Sequence, residues 1–117
     1  MHKYQDAVTD YDQAMTIGLR DRDQRYYATL GRGYASMMMA DFGQAVRYFN
    51  RTLELAPDAS NVMLLRGYAY ERQGARDLAL RDYERAAGGM VDLAEARQGV
   101  ARLRASIMNS GNAAVSR

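Results

Sequence analysis

The 117-residue chain has no cysteine and no tryptophan, and one residue each of histidine, lysine and proline. Without cysteine there are no disulfides and no thiolate metal sites. The lone His2 stands at the terminus, which leaves histidine general-base and zinc schemes without support. The near absence of proline and the sparse Val, Ile and Thr beside abundant Ala, Leu and Arg remove most strand signals and favour helix throughout. No apolar run approaches membrane-spanning length, and no charged-then-apolar opening reads as a signal peptide. With Lys3 the only lysine, the cations are almost all arginine, a usage that hints at a GC-rich bacterial genome. They alternate with acids, as in Asp77 and Arg81 one helical turn apart with the acid first, the favourable order. The formal net charge of +2 therefore describes a solvated, ion-paired face and not a nucleic-acid stripe.

What the chain does have is a repeat. Arg32-Gly33-Tyr34-Ala35 returns 34 residues later as Arg66-Gly67-Tyr68-Ala69. The same offset relates Ala45 to Ala79, Arg47 to Arg81, Phe49 to Tyr83 and Arg51 to Arg85. A fixed period of this size marks stacked helical units, each unable to bury its apolar face alone. The length suffices for one domain with a modest core.

Apolar spacing predicts six helices, over about 4–18, 24–39, 41–55, 58–73, 76–87 and 92–108. Gly18, Gly74 and Gly88-Gly89 are expected terminators. Ala56-Pro57 stops the third helix, because the residue before proline avoids helical dihedrals. Asp41 with Gln44 reads as a capping box, Asp92 with Glu95 as another, and Asp58 or Ser60 is the expected cap of the fourth helix. Residues 109–117 are small and polar and are expected to fray.

These residues resemble the tetratricopeptide repeat (TPR) family over about residues 4–105. The family's packing positions fall on Gly33, Ala45, Phe49 and Pro57 in one repeat. In the next they fall on Gly67, Tyr70, Gly74, Ala79, Tyr83 and Ala86. Three residues depart from the pattern: Ser36 for the usual tyrosine, Ala40 for the turn glycine and Thr52 for the usual alanine. Tyr4, Ala7, Tyr11 and Ala14 match the second helix of a repeat at an offset of 38. Gln98-Gly99-Val100-Ala101 echoes Arg66-Gly67-Tyr68-Ala69 at an offset of 32. The chain then reads as a second helix, two full repeats and a first helix, cut from a larger array. The resemblance implies an all-α, right-handed superhelical solenoid of antiparallel helix pairs.

It also implies that the first helix of each pair lines a concave groove where partners bind. Helical spacing puts Tyr27, Leu30, Tyr34 and Met37 there on the second helix, and Asn61, Leu64, Tyr68 and Glu71 on the fourth. On the sixth it puts Ala96, Val100 and Leu103, with Arg102 or Arg104 at the rim. One subclass of the family grips the C-terminal carboxylate of chaperones with Lys and Asn, but Leu and Tyr stand at those positions here. An apolar, aromatic groove suits an amphipathic helix or an extended apolar peptide. Met37-Met38-Met39 spans most of a turn and reads as ordinary packing. Gly31-Arg32-Gly33 lies inside a helix without the strand and lysine of a phosphate loop. The expectation is a non-enzymatic protein-interaction module with no cofactor or metal, either cytoplasmic or periplasmic. The alternative is a structural spacer or self-associating segment. The stripe Tyr4, Ala7, Val8, Tyr11, Ala14 and Met15 on the first helix would pair two copies.

Overall fold

A computed structural model describes residues 2–17, 21–89 and 93–115, with side chains for 3–13, 21–89 and 93–109. Six helices follow in order: α1 (His2–Ile17), α2 (Arg22–Met38), α3 (Phe42–Leu55), α4 (Ser60–Arg72), α5 (Arg76–Ala87) and α6 (Ala94–Val115). Each packs on the next in antiparallel pairs, and the stack is elongated, 57 × 32 × 19 Å. The all-α solenoid is the architecture the period demands.

Local chemistry sets most helix ends. The Asp41 carboxylate accepts the Gln44 amide at 3.3 Å, while the Asp41 amide goes to the Ser36 carbonyl. Half of the expected box therefore forms, and the other half is replaced by the end of α2. Asp21 caps α2 by accepting the Asp23 amide at 2.8 Å, so this helix begins two residues before the expected start. Both α2 and α4 close with the same motif. Ala40 and Gly74 take left-handed dihedrals (φ 62° and 81°), and the next amides, Asp41 and Ala75, return to Ser36 and Tyr70.

Neither Asp58 nor Ser60 caps α4: the N-cap is Ala59, without a side-chain bond. The turn after Pro57 ties the Ala59 amide to the Ala56 carbonyl, which leaves Asp58 inside the turn and Ser60 already helical. Gly18 and Asp92 lie outside the described residues. Finally, α6 runs to Val115, past the expected stop at Met108. Residues 109–115 contain no proline, and Ala113 and Ala114 favour helix.

Glycine and aromatic residues set the spacing between helices. A Cβ on Gly33 would lie 2.7 Å from the Phe49 ring, and one on Gly67 would lie 2.9 Å from the Tyr83 ring. Each second helix thus presses its aromatic ring onto the glycine of its own first helix. The opposite edge of the ring meets the following first helix: Tyr83 packs on Gly99, and Tyr11 packs on Gly31. Two apolar clusters result, one around Met37, Ala45, Phe49, Val62 and Ala69, the other around Ala79, Tyr83 and Leu103.

Burial corrects the expected register of the last helix. Ala28, Val62 and Ala96 are all buried, as are Ala35, Ala69 and Leu103. Both triads keep the 34-residue period, so α6 follows α4 at 34 and not at 32. Gly99 is therefore the counterpart of Gly31 and Leu65, which meet the preceding helix, and not of Gly67.

Arginine ties follow the repeat as well. Arg32 pairs with Asp12 on α1 at 2.9 Å, and Arg66 donates to Asn50 on α3 at 2.9 Å. These are the same tie at the offset of 38. The second partner differs: Arg66 makes two bonds to the buried Asp82 carboxylate (2.7 and 2.6 Å), whereas Arg32 lies over the Tyr48 ring at 4.6 Å. The Asp82 hydrogen bond, offset by burial, holds the Arg66 pKa above its ordinary value.

Candidate functional site

One face of α2 and α4 carries most of the exposed large apolar side chains. Residues spaced three and four apart share that face. On α2 these are Tyr27, Leu30 and Tyr34, and on α4 Asn61, Leu64 and Tyr68. Tyr27 is 67% exposed, Tyr34 45% and Tyr68 44%, while Leu30 and Leu64 are half-buried between them. Tyr34 and Tyr68 therefore stand out from the helix surface. The Tyr68 ring is oriented by an edge contact with Phe42, at 6.4 Å between centroids.

Two depressions lie along this face. The first, of about 430 Å³, is lined by Tyr4, Ala7, Tyr11, Tyr27, Leu30 and Tyr34 among others. The second, of about 460 Å³, is lined by Met38, Leu64, Tyr68, Glu95, Gln98 and Arg102 among others. Leu65 borders both, so it joins them into one groove. Leu65 is not among the expected groove residues, although the offset of 34 from Gly31 points to it.

Several expected groove residues are buried or sit elsewhere. Met37 is only 8% exposed and packs in the core while still bordering the second depression, where its neighbour Met38, 44% exposed, stands beside it. On α6, Ala96 and Leu103 are buried and Val100 packs beside Leu103 and Tyr83. The correct period of 34 instead brings Glu95, Gln98 and Arg102 to the groove, in line with Asn61, Leu64 and Tyr68. Arg104 is turned to Glu84, 3.8 Å away. Asn61 is exposed and reaches the Tyr26 hydroxyl at 3.4 Å.

Glu71 lies behind the groove, bonded to two of its lining residues. Arg102 donates two bonds to it (2.7 and 3.0 Å) and the Tyr83 hydroxyl a third at 2.8 Å. The Arg102 hydrogen bond is the main reason its carboxyl sits below the ordinary carboxylate range. Burial first, then the Glu71 carboxylate, pushes the Tyr83 phenol up. The groove thus grades from aromatic and aliphatic at α1 and α2 to charged at α6.

Among the described residues no cluster of His, Asp or Glu could hold a metal ion, and no helix is long and apolar enough to cross a membrane. No family model and no curated protein matches the chain. Solved structures do. The first TPR of Spaghetti (RPAP3), bound to the HSP90 peptide SRMEEVD, superposes with a TM-score of 0.80 at 20% identity. That match covers 92% of this chain and 82% of the other. The TPR domain of P58(IPK) gives 0.79 at 21% identity, over 92% of this chain and 30% of that one. At such identities the likeness is one of backbone arrangement: six helices stacked in antiparallel pairs, in the TPR fold.

Proposed function

We propose that this chain is a protein-interaction module that binds a peptide or amphipathic helix by its apolar side chains, as part of a larger scaffold or assembly. The observation that carries this reading is the row of exposed tyrosines, Tyr27, Tyr34 and Tyr68, flanking a floor of Leu30, Leu64 and Leu65. Tyrosine offers a large contact area with few rotors to freeze, and the exposed Met38 adapts to irregular shapes. Spaghetti's first TPR holds a short peptide, which supports this use of the fold. That peptide is acidic, with two glutamates and a terminal aspartate. Here Arg102, at the α6 end, is committed to Glu71, so recognition rests on apolar contact and not on gripping carboxylates.

The test is selection from a random peptide library on the immobilised protein, followed by binding to the Tyr34→Ala, Tyr68→Ala double variant. Selected peptides should be rich in aliphatic and aromatic residues. The double variant should bind them at least about tenfold more weakly, a loss of about 1.4 kcal/mol, while its melting curve changes little. A stability loss of ~3–5 kcal/mol would instead make the tyrosines core residues and overturn the reading.

A second reading, self-association through α1, is favoured by the half-exposed Tyr4, Ala7 and Tyr11. Val8 from the same stripe is buried, however, and the side chains of Ala14 and Met15 lie outside the described residues. Light scattering over a concentration series separates the two readings, because a monomer at high concentration excludes pairing.

A further inference from the structure

The period of 34 sets Leu30, Leu64 and Gln98 in one row across α2, α4 and α6, with Glu95 on one side of the α6 end and Arg102 on the other. A segment lying along this row passes from leucine and tyrosine to polar side chains. The second depression holds that passage, since Leu64, Leu65 and Tyr68 line it together with Glu95, Gln98 and Arg102. Its two charged lining residues are in opposite states. Arg102 turns its Nε and Nη2 onto the Glu71 carboxylate at 3.0 and 2.7 Å, and the hydroxyl of the buried Tyr83 adds a third bond at 2.8 Å. Such a two-pronged contact is how an arginine grips a partner's carboxylate, and here the chain fills it with its own. Glu95 is exposed, and among the described residues no cation pairs with its carboxylate. It stands one turn before Gln98, on the same face. Arg102 and Glu71 cancel, so the charge left at this end of the groove is negative.

We infer that this end of the groove selects its partner by charge: it takes a segment whose apolar residues cover Leu64 and Leu65 and whose neighbouring lysine or arginine pairs with Glu95. Glu71 is a positioning residue, which keeps Arg102 turned away from the partner. An acidic segment would face Glu95 uncompensated and find the Arg102 contact already taken. Charges at a binding surface act in this way, choosing among partners more than adding affinity. Glu95 also stands in the first turn of α6, where an acid suits the helix dipole. A role confined to the helix end would show in the melting curve and leave the peptide preference unmoved. The inference rests on the reading of the groove as a peptide site, and the two fail separately.

The probe is a display library in which every position encodes Leu, Phe, Ser, Lys and Glu in equal shares, selected on the immobilised protein. Selected peptides should combine apolar residues with an excess of lysine over glutamate. The best binder is then synthesised twice, as selected and with its lysine changed to glutamate. On the unaltered protein the glutamate version should bind about fivefold more weakly or worse, the upper range for an exposed ion pair. Raising salt from about 0.05 to 0.5 M should narrow that gap, because exposed charges are screened. Glu95→Gln should abolish the gap and Glu95→Lys should reverse it, both with melting curves that show a folded protein. Glu71→Gln, which leaves Arg102 without its carboxylate, should narrow it. The acidic peptide SRMEEVD, which Spaghetti's first TPR holds, should bind Glu95→Lys better than the unaltered protein. The inference is overturned if selection does not distinguish lysine from glutamate, or if the gap survives in Glu95→Gln. Apolar peptides that bind without regard to charge, and are lost in the Tyr34→Ala, Tyr68→Ala variant, would keep the groove and remove this inference. A library that yields no binder would remove both.

Discussion

Ala40 and Gly74 hold the same position after α2 and α4, and both have positive φ, 62° and 81°. Only glycine adopts this conformation without a Cβ clash, and an L-residue there costs roughly 1–2 kcal/mol. Ala40→Gly should therefore stabilise the protein by about 1 kcal/mol, despite the greater freedom glycine gives the unfolded chain. Gly74→Ala should destabilise by a similar amount, since no atom within 4 Å would meet the new Cβ and the dihedral alone decides. Thermal melts of both variants check the pair of opposite signs. Gly67 makes a different case, in a helix interior. Replacing it with leucine gains about 0.5–1 kcal/mol of helix propensity, but the side chain must enter the space of the Tyr83 ring. Overpacking of that kind costs roughly 1–3 kcal/mol or more, so Gly67→Leu should melt lower than the parent. A higher melting temperature would mean that α4 and α5 do not approach as closely as the structure has them. Thr52 shows how a departure from the TPR pattern is absorbed. Its buried hydroxyl lies 2.9 Å from Thr29 Oγ1 and 2.8 Å from the Tyr48 carbonyl, so both hydroxyls are satisfied where alanine would need no partner.

Between elements, the two ion pairs differ in what surrounds them. Asp82 is only 3% exposed, and Arg66 is its charge partner. Removing the arginine leaves a buried carboxylate uncompensated, at a cost of about 3–5 kcal/mol. Arg66→Met should thus destabilise far more than Arg102→Met, whose pair with Glu71 is half open to water and belongs with surface bridges worth ~0–1 kcal/mol. The second pair carries a pH signature. The folded-state pKa of Glu71 lies below its ordinary value of 4.5, so the folded protein keeps this carboxylate charged while the unfolded chain protonates. Its contribution is complete above about pH 4.5 and is lost as pH falls through the folded value. Glu71→Gln should flatten this part of the acid limb in melts between pH 6 and 3. Neither tie was legible beforehand, although Arg32 and Arg66 stood in the repeated motif. A lone sequence shows that an arginine recurs, not that one copy meets a carboxylate 16 residues on and the other a ring. The elements themselves were legible, because apolar spacing, Asp41 and Pro57 are local signals. The register of α6 was not. Gly99 resembled Gly67 in its neighbours, and only burial shows that it serves the preceding helix, like Gly31. The signal that would have found it was the recurrence of small apolar residues at 28, 62 and 96.

For the molecule as a whole, stability should follow how many neighbours each helix has. Among the described residues the inner helices α2 to α5 are packed on both sides, whereas α1 packs chiefly on α2 and α6 chiefly on α5. The outer face of α6 differs from that of α2. Arg97, Ala101, Arg104 and Ala105 are exposed there, at the places where α2 buries Thr29, Gly33, Ser36 and Met37. Since each unit touches only its neighbours, opening should proceed from the ends, with local free energies rising toward the middle. Native-state hydrogen exchange should therefore show the slowest amides in α3 and α4 and the fastest in α1 and α6. Arg66→Met then discriminates between modes of unfolding. If neighbours alone communicate, exchange should accelerate most in α4, α5 and α6, and α1 should barely respond because it already opens by itself. If the stack unfolds only as a unit, every slow amide should lose the same protection, and the array would have to be treated as one cooperative core.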